Sequence, residues 1–390
     1  MRIALFHDLP SGGAKRALHA QVAGLRARGH EVVAFLPATA DESFLPLGDI
    51  VSATHIIPRR RPPPDRERVL AGTGSLLDPL RWLRFLASLP ADEAAIAAAI
   101  DATKPDVVMV HPSQFTQAPC VLRALRTPSV YYCQEPLRAA YEPRVVAPHI
   151  RLGLRLTLAR VDRRNARAAT VVAVNSQFSR ARIAQVYGIA PEVVPLGVDT
   201  TVFQPQPGAL GGYILSVGAL HPLKGHDTVI DTVAALPAAQ RLPVLIISDR
   251  WRDAERARLE ARAAAAGVAL RIEVRVDEAT LVARYAAANV VMYTPHNEPF
   301  GFVALEAMAC GRPVLGVAEG GLLETIVHER TGYVEQRDPQ KLAVRLAALL
   351  SDPVLADTLG ANGAAHVRAQ WGWDTAVTSL EQLLTRVASR

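Results

Sequence analysis

The sequence predicts an α/β protein of two domains, each built on a doubly wound parallel sheet. Three observations carry this reading. At 390 residues the chain is too long for one compact core and about right for two. Compact, valine-rich apolar runs recur along it, a composition that suits strands buried on both faces. Alanine-rich helical stretches separate several of these runs, and β-α alternation is how a parallel sheet is wound.

In the first half the strand-like runs are residues 2–6, 31–35, 106–110, 129–133 and 170–174, and helical stretches include residues 14–28 and 92–102. Residues 40–90 break the rhythm and read as loop plus a helix carrying Trp82, Leu83, Phe85 and Leu86. Around Phe203-Gln204-Pro205-Gln206-Pro207-Gly208 the composition turns to Pro and Gln, as in a linker. The pattern then restarts with residues 213–217, 244–247, 271–276, 290–293 and 313–317. The expected domains are residues 1–203 and 209–370, and residues 371–390 form an amphipathic helix able to pack back on the first domain. No low-complexity tract and no repeat of about 20 to 50 residues interrupts this plan.

Half the residues are apolar and 21% are charged, which excludes a disordered or fibrous chain. No apolar run approaches the roughly 18 to 20 residues that span a bilayer. The N-terminus meets His7 and Asp8 after only a few apolar residues, so no secretory leader is expected. Cys120, Cys133 and Cys310 are widely separated in apolar contexts and read as reduced core residues without metal spacing. A cytoplasmic protein is the expectation. The net charge of +6 is carried by arginine, since the only lysines are Lys15, Lys104, Lys224 and Lys341. Arg59-Arg60-Arg61 forms one cluster, and Arg151, Arg155, Arg160, Arg163, Arg164 and Arg167 a second whose only acid is Asp162. Such clusters attract phosphates, nucleic acid or an acidic membrane face, while each arginine taken singly also suits a solvated helix face.

Three stretches carry chemistry. The first strand runs into Gly12-Gly13 and then a helix, so backbone can approach a ligand and the helix N-terminus offers free N–H groups. Many βα turns carry glycines for packing alone, so this signal is weak by itself. In the second half Lys224 sits in a Gly-flanked loop after a strand, where α/β folds bind anions, and reads as a diphosphate ligand. The strongest stretch is Glu298-Pro299-Phe300-Gly301-Phe302-Val303, continuing to Glu306 and Gly311. Pro299 and Gly301 place Glu298 in a loop before a helix beginning near Phe302. Glu298 can then accept hydrogen bonds from sugar hydroxyls, the helix N-terminus can hold a diphosphate, and Glu306 can bind a ribose diol. A lone glutamate at a helix start merely suits the dipole, which does not explain two of them bracketing a Gly turn.

The run of residues 298–321 resembles the signature of the retaining glycosyltransferases of family four, which have the GT-B fold. The two glutamates eight apart, Ala307-Met308-Ala309-Cys310-Gly311-Arg312-Pro313-Val314 and the Gly320-Gly321 turn carry the resemblance. Gly12-Gly13, Gly29-His30-Glu31-Val32, Asn175-Ser176-Gln177-Phe178, Pro195-Leu196-Gly197-Val198-Asp199 and Lys224-Gly225 agree with it in order. It covers nearly the whole chain except about residues 40–90. It implies two Rossmann-like doubly wound domains facing a central cleft, with a nucleotide-sugar donor held mainly by the second and the acceptor by the first. It further implies net retention of anomeric configuration without a bound metal or other cofactor. The positions matching Lys224, Gly301, Phe302 and Val303 hold the diphosphate, that of Glu298 the transferred sugar, and that of Glu306 the ribose.

Two departures stand out. Ala219 occupies a place where the family has an arginine, so diphosphate charge falls to Lys224, backbone dipoles or an arginine from elsewhere such as Arg250. Gln134 occupies the place of a family histidine that meets the donor sugar, and a glutamine hydrogen-bonds but does not titrate near neutrality. His111, ending the preceding strand, either faces the cleft or is structural. The expected catalytic set is therefore Glu298, Gln134 and Lys224. Its alternatives are a scaffold that binds nucleotide sugars without catalysis, another enzyme on the same fold, and a nucleic-acid binder. The last lacks aromatic interleaving or a reader motif. The arginine clusters, with Arg81-Trp82-Leu83-Arg84-Phe85, suggest peripheral attachment to an anionic membrane face and a lipid-linked acceptor, beside polysaccharide and small-molecule ones.

Overall fold

The computed structural model describes residues 1–63, 78–143, 145–249 and 253–390. The chain forms two compact units, Met1–Pro195 with Ala376–Arg390, and Leu196–Thr375.

In the first unit seven strands are β1 (Arg2–Asp8), β2 (Glu31–Pro37), β3 (Ala53–Ile57), β4 (Val107–Ser113), β5 (Ser129–Tyr132), β6 (Val171–Val174) and β7 (Glu192–Val193). They stand in the order β3-β2-β1-β4-β5-β6-β7, every neighbouring pair parallel. β4 and β5 are buried along their whole length, which is why they read in the sequence as unbroken apolar runs rather than alternating ones. The winding direction reverses between β1 and β4, so the loops leaving their carboxyl ends diverge, the place where such sheets bind ligands.

The region expected to be loop plus a helix holds more than that. β3 is an edge strand with four of its five residues exposed, so it lacks the buried apolar signal of the others. The helix Asp78–Ala102 runs unbroken through Pro90 and joins two stretches that the sequence presents as separate. Trp82, Phe85 and Leu89 on it pack with Phe115 and Cys120, and burying each such side chain contributes roughly 1.5 to 3 kcal/mol.

The second unit has β8 (Ile214–Val217), β9 (Val244–Ser248), β10 (Leu270–Val274), β11 (Val290–Tyr293), β12 (Val314–Val317) and β13 (Gly332–Glu335). Their order is β10-β9-β8-β11-β12-β13, again all parallel, with the reversal between β8 and β11. The division between units falls at Pro195 and Leu196, ahead of the Pro/Gln stretch. Val198 N–H donates to Trp371 O at 2.7 Å and Phe203 packs edge-on against Tyr285, which ties residues 196–203 to the second unit.

The helix Trp373–Ala388 buries Ala376, Val377, Leu380, Leu383, Leu384 and Val387 on one face. Its Glu381 accepts from Arg28 at 2.7 Å and pairs with His30 at 2.6 Å within the first unit. No helix among the described residues is long and apolar enough to cross a membrane. The three cysteines are buried and unpaired.

Candidate functional site

The charged residues singled out in the second half converge at the carboxyl ends of β8 and β11. Beyond β8 the chain makes a single turn, Pro222–Lys224, and Gly225 (φ 68°) opens the helix His226–Ala234. A side chain at Gly225 would place its Cβ 1.9 Å from Thr294 O, so only glycine lets this loop sit against the one that follows β11. Thr294 Oγ1 donates to Gly225 O at 2.7 Å and His296 N–H to Leu223 O at 2.8 Å, locking the two loops together. His226, buried beneath them, pairs through Nδ1 with Ser216 Oγ at 2.9 Å, and burial lowers its pKa to about 4, so the ring is neutral.

Across this junction Lys224 Nζ donates to Glu298 Oε2 at 2.9 Å. Glu298 is held by its backbone: its carbonyl accepts from Gly321 N–H at 2.8 Å, and a Cβ on Gly320 (φ 65°) would stand 2.3 Å from the same oxygen. The Gly-Gly turn thus exists so that one loop can lie directly on another. Gly301 (φ 105°) then starts the helix Phe302–Ala309, whose first turn has neither a side-chain cap nor an acidic residue. Its N-terminal amides and dipole form a place suited to an anion. Phe300 and Phe302 anchor this turn, Phe300 packing edge-on against Trp371 at 5.5 Å and Phe302 lying tilted against Trp373 at 6.4 Å. Val303 follows in the same turn and is partly buried.

Glu306 lies one turn further along and is only 4% exposed. Its Oε2 accepts from the Tyr285 hydroxyl at 2.8 Å. Burial, and then the Glu306 charge, hold that hydroxyl well above its ordinary pKa, so Tyr285 stays protonated and remains the donor. Ala219 lies in the loop after β8, and Arg250, named above as a substitute cation, lies outside the described residues.

Gly12, Gly13 and Gln134 belong to the first unit. Gly12 (φ 136°) caps the helix Gly13–Ala27, which has no side-chain cap and no acid in its first turn, and Gly13 is exposed. Fully buried behind them is Lys15, bonded to His7 Nε2 at 3.1 Å and ion-paired with Glu42. The sequence reading missed this trio. Its signal was a scarce lysine in a helix's first turn, where the dipole opposes a positive charge. Gln134 follows β5, its Nε2 buried without a hydrogen-bond partner among the described residues. His111 is fully buried, stacked on Tyr132 at 5.4 Å, and burial pushes its pKa down to about 3.

Arg59 corrects the reading of its cluster. Its side chain is fully buried between Asp8 and Glu93, donating to each at 2.6 Å, and lies over the Phe115 ring. Burial pushes Glu93 up to about 7 against the pull of Arg59. Arg60 and Arg61 remain exposed and line a cavity of about 310 Å³ with Pro63, Arg81, Arg84 and Phe85. In the second cluster Arg155, Arg160, Arg163, Arg164 and Arg167 are all exposed, and Arg167 Nε also donates to Tyr187 O at 2.7 Å.

Two units, each a doubly wound parallel sheet with charged loops at the carboxyl ends of its strands, define a two-domain Rossmann-like α/β protein. The family model described as "Glycosyltransferase Family 4" matches residues 11–202, and that described as "Glycosyl transferases group 1" matches residues 203–366. The chain belongs to the family-four glycosyltransferases of GT-B fold.

D-inositol 3-phosphate glycosyltransferase of Thermobispora bispora is 31% identical over 239 residues, 55% of this chain and 56% of that protein. The GDP-mannose-dependent alpha-(1-6)-phosphatidylinositol monomannoside mannosyltransferase of Mycobacterium tuberculosis is 34% identical over 57% of this chain and 64% of its own length. The chain thus spans a little over half the length of the curated relatives it matches. Among solved structures, sucrose-phosphate synthase of Thermosynechococcus elongatus has a TM-score of 0.77 at 22% identity, covering 100% of this chain and 99% of its own. Anabaena HepE, in complex with UDP and glucose, has a TM-score of 0.74 at 20% identity, covering 99% of this chain and 100% of its own. These two likenesses show the fold.

Proposed function

We propose that the chain transfers a hexose-type sugar from a nucleoside-diphosphate donor to an acceptor, with retention of anomeric configuration and without a bound metal. The observation that carries this reading is the Lys224–Glu298 contact beside the uncapped N-terminus of the helix Phe302–Ala309. A cation and a row of amide dipoles suit a diphosphate, and a carboxylate next to them suits the hydroxyls of the sugar it carries. The names of the inositol-phosphate and mannosyl-transferring relatives, and the UDP complex of HepE, agree with a nucleotide-sugar donor.

In this scheme the bond from the anomeric carbon to the β-phosphate oxygen breaks, and its electron pair leaves with the phosphate. Lys224 and the amides of Phe302 and Val303 stabilise that charge as it develops. The acceptor oxygen bonds to the anomeric carbon on the face the phosphate leaves, and its proton passes to the departing phosphate oxygen. No titrating side chain is then required, and Gln134 serves by hydrogen bonding to the sugar. Glu298 accepts from the sugar hydroxyls and Glu306 from the ribose diol, while Gly12 and Gly13 present backbone N–H groups to the donor.

For the acceptor we favour a lipid-linked molecule met at the inner, anionic face of a membrane by a peripheral cytoplasmic protein, ahead of polysaccharide and small-molecule acceptors. The helix Pro148–Leu156 buries none of its residues fully and exposes Leu152, Leu156 and Arg155, a composition suited to an interface.

The test is thermal stabilisation by UDP, GDP and ADP in the presence of EDTA, followed by NMR of the product anomer with the matching nucleotide sugars. One nucleotide should raise the melting temperature, an effect lost in Lys224→Ala, and the product should keep the donor's configuration. No shift with any nucleotide and no donor turnover would overturn the reading. Absence of binding to anionic liposomes at low salt would remove the membrane part alone.

A further inference from the structure

Arg337 stands just past β13 and reaches back across the carboxyl edge of the second sheet. Its Nε and Nη2 donate to Glu319 Oε1 and Oε2 at 2.8 and 2.9 Å, a bidentate pair. Nη2 also donates to Pro295 O at 2.7 Å, and Nη1 to Thr294 O at 2.7 Å and to Thr228 Oγ1 at 3.4 Å. Every N–H of the guanidinium is engaged. The partners come from the loop after β11, the loop after β12 and the helix His226–Ala234, so one side chain stitches together neighbouring loops.

What those loops carry gives the arrangement its meaning. Thr294 holds Gly225, which follows Lys224, and Pro295 leads to His296, whose N–H holds Leu223. Glu319 precedes the Gly320-Gly321 turn that clasps the Glu298 carbonyl. His296 Nδ1 stands 3.9 Å from Glu319 Oε2, so the imidazole also faces this pair. The Glu319 carboxylate lies below its ordinary pKa: burial works against ionisation, and the hydrogen bonds and charge of Arg337 outweigh it.

We propose that Arg337, through Glu319 and the carbonyls of Thr294 and Pro295, is a positioning residue that fixes Glu298 relative to Lys224 for glycosyl transfer. This rests on the reading that Lys224 and Glu298 receive the donor. A planar fork of five donors can hold a carboxylate bidentately and two carbonyls at once, whereas the three donors of a lysine ammonium can reach the carboxylate through one oxygen at most if they also hold both carbonyls. Loosening the fork leaves the loop present but displaced, and small displacements at a reacting centre cost up to about a hundredfold in rate.

The experiment compares wild type with Arg337→Lys, Arg337→Ala and Glu319→Gln in the full chain. Donor kcat and KM, affinity for free nucleoside diphosphate, melting temperature and amide hydrogen exchange at His296 and Gly321 are read for each. Arg337→Lys should stay folded, lose kcat about ten- to a hundredfold, and keep its nucleoside-diphosphate affinity within about threefold, because that ligand needs Lys224 but not the sugar contact. Exchange at His296 and Gly321 should accelerate in every variant, and the double variant Arg337→Lys/Glu319→Gln should lose no more kcat than the worse single one. Wild-type turnover with unchanged kcat in Arg337→Lys overturns the inference, as does unchanged exchange at both amides. Absence of turnover in wild type strikes the donor reading instead, and the exchange measurement still decides whether Arg337 sets the loop.

Discussion

Lys224 and Glu298, 74 positions apart in the chain, meet at 2.9 Å as a partly buried ion pair. If Lys224 receives the diphosphate as proposed, the carboxylate and the phosphate draw on the same cation. Glu298→Gln removes the competitor. Its affinity for free nucleoside diphosphate should rise about two- to fivefold, the worth of a partly exposed pair, while sugar transfer falls. Titration calorimetry with the nucleotide that stabilises wild type decides the point, and weaker binding by the variant would show that Glu298 assists the phosphates rather than competing with them.

Tyr285→Phe deletes the hydroxyl that donates to Glu306 and removes one donor from a buried carboxylate. A stability loss of about 1 to 3 kcal/mol is expected in denaturant unfolding. If Glu306 is the ribose contact, the variant should also discriminate less between a nucleoside diphosphate and its 2′-deoxy form.

Arg59→Leu should be far more damaging than a surface arginine substitution, because Asp8 and Glu93 are left buried and unpaired. About 3 to 5 kcal/mol is the usual cost of breaking such a pair. The pH dependence follows from Glu93, whose pKa rises from 4.5 to about 7 on burial. The folded state holds its proton more tightly, so its stability contribution is complete below 4.5 and is lost as pH rises through about 7. Without Arg59 the raised value climbs further. The variant's deficit, read from denaturation midpoints, should therefore be larger at pH 8 than at pH 5.

His111 titrates in the opposite sense. Its pKa is lowered from 6.5 to about 3, chiefly by burial and then by the His7 and Lys15 charges. Below 6.5 the unfolded chain takes up a proton that the folded one refuses, so stability present above 6.5 is lost as pH falls toward 3. Neither ring nitrogen has a hydrogen-bond partner among the described residues, so His111→Phe should fold. Between pH 6 and 4 the variant's stability should fall less steeply than wild type's, by up to about 1.4 kcal/mol per pH unit.

The sequence made some of this visible and hid the rest for physical reasons. Residues 298–306 were readable because a loop, a glycine turn and a helix start follow one another without a break. Lys224 stood out because lysine is scarce in this chain, and the structure brings it to Glu298. Glu306 was expected as a ribose contact, but its bond to Tyr285 is a tertiary fact with no local trace. Arg337 and Glu319 were missed for the same reason: each sits in ordinary loop composition, and their meaning lies in the adjacency of β11, β12 and β13. Arg59 misled because a charge run looks solvated until Asp8 and Glu93, each far from it in sequence, close around it. β3 was missed because an exposed edge strand buries too little to leave a pattern.

The aromatic anchor of the Phe300–Phe302 turn has an optical consequence. Trp371 and Trp373 are two of the four tryptophans in the chain, and they rest against the two phenylalanines that flank Gly301. A ligand settling at the start of that helix alters the surroundings of both indoles, so the protein carries its own fluorophores where occupancy can be watched without a label.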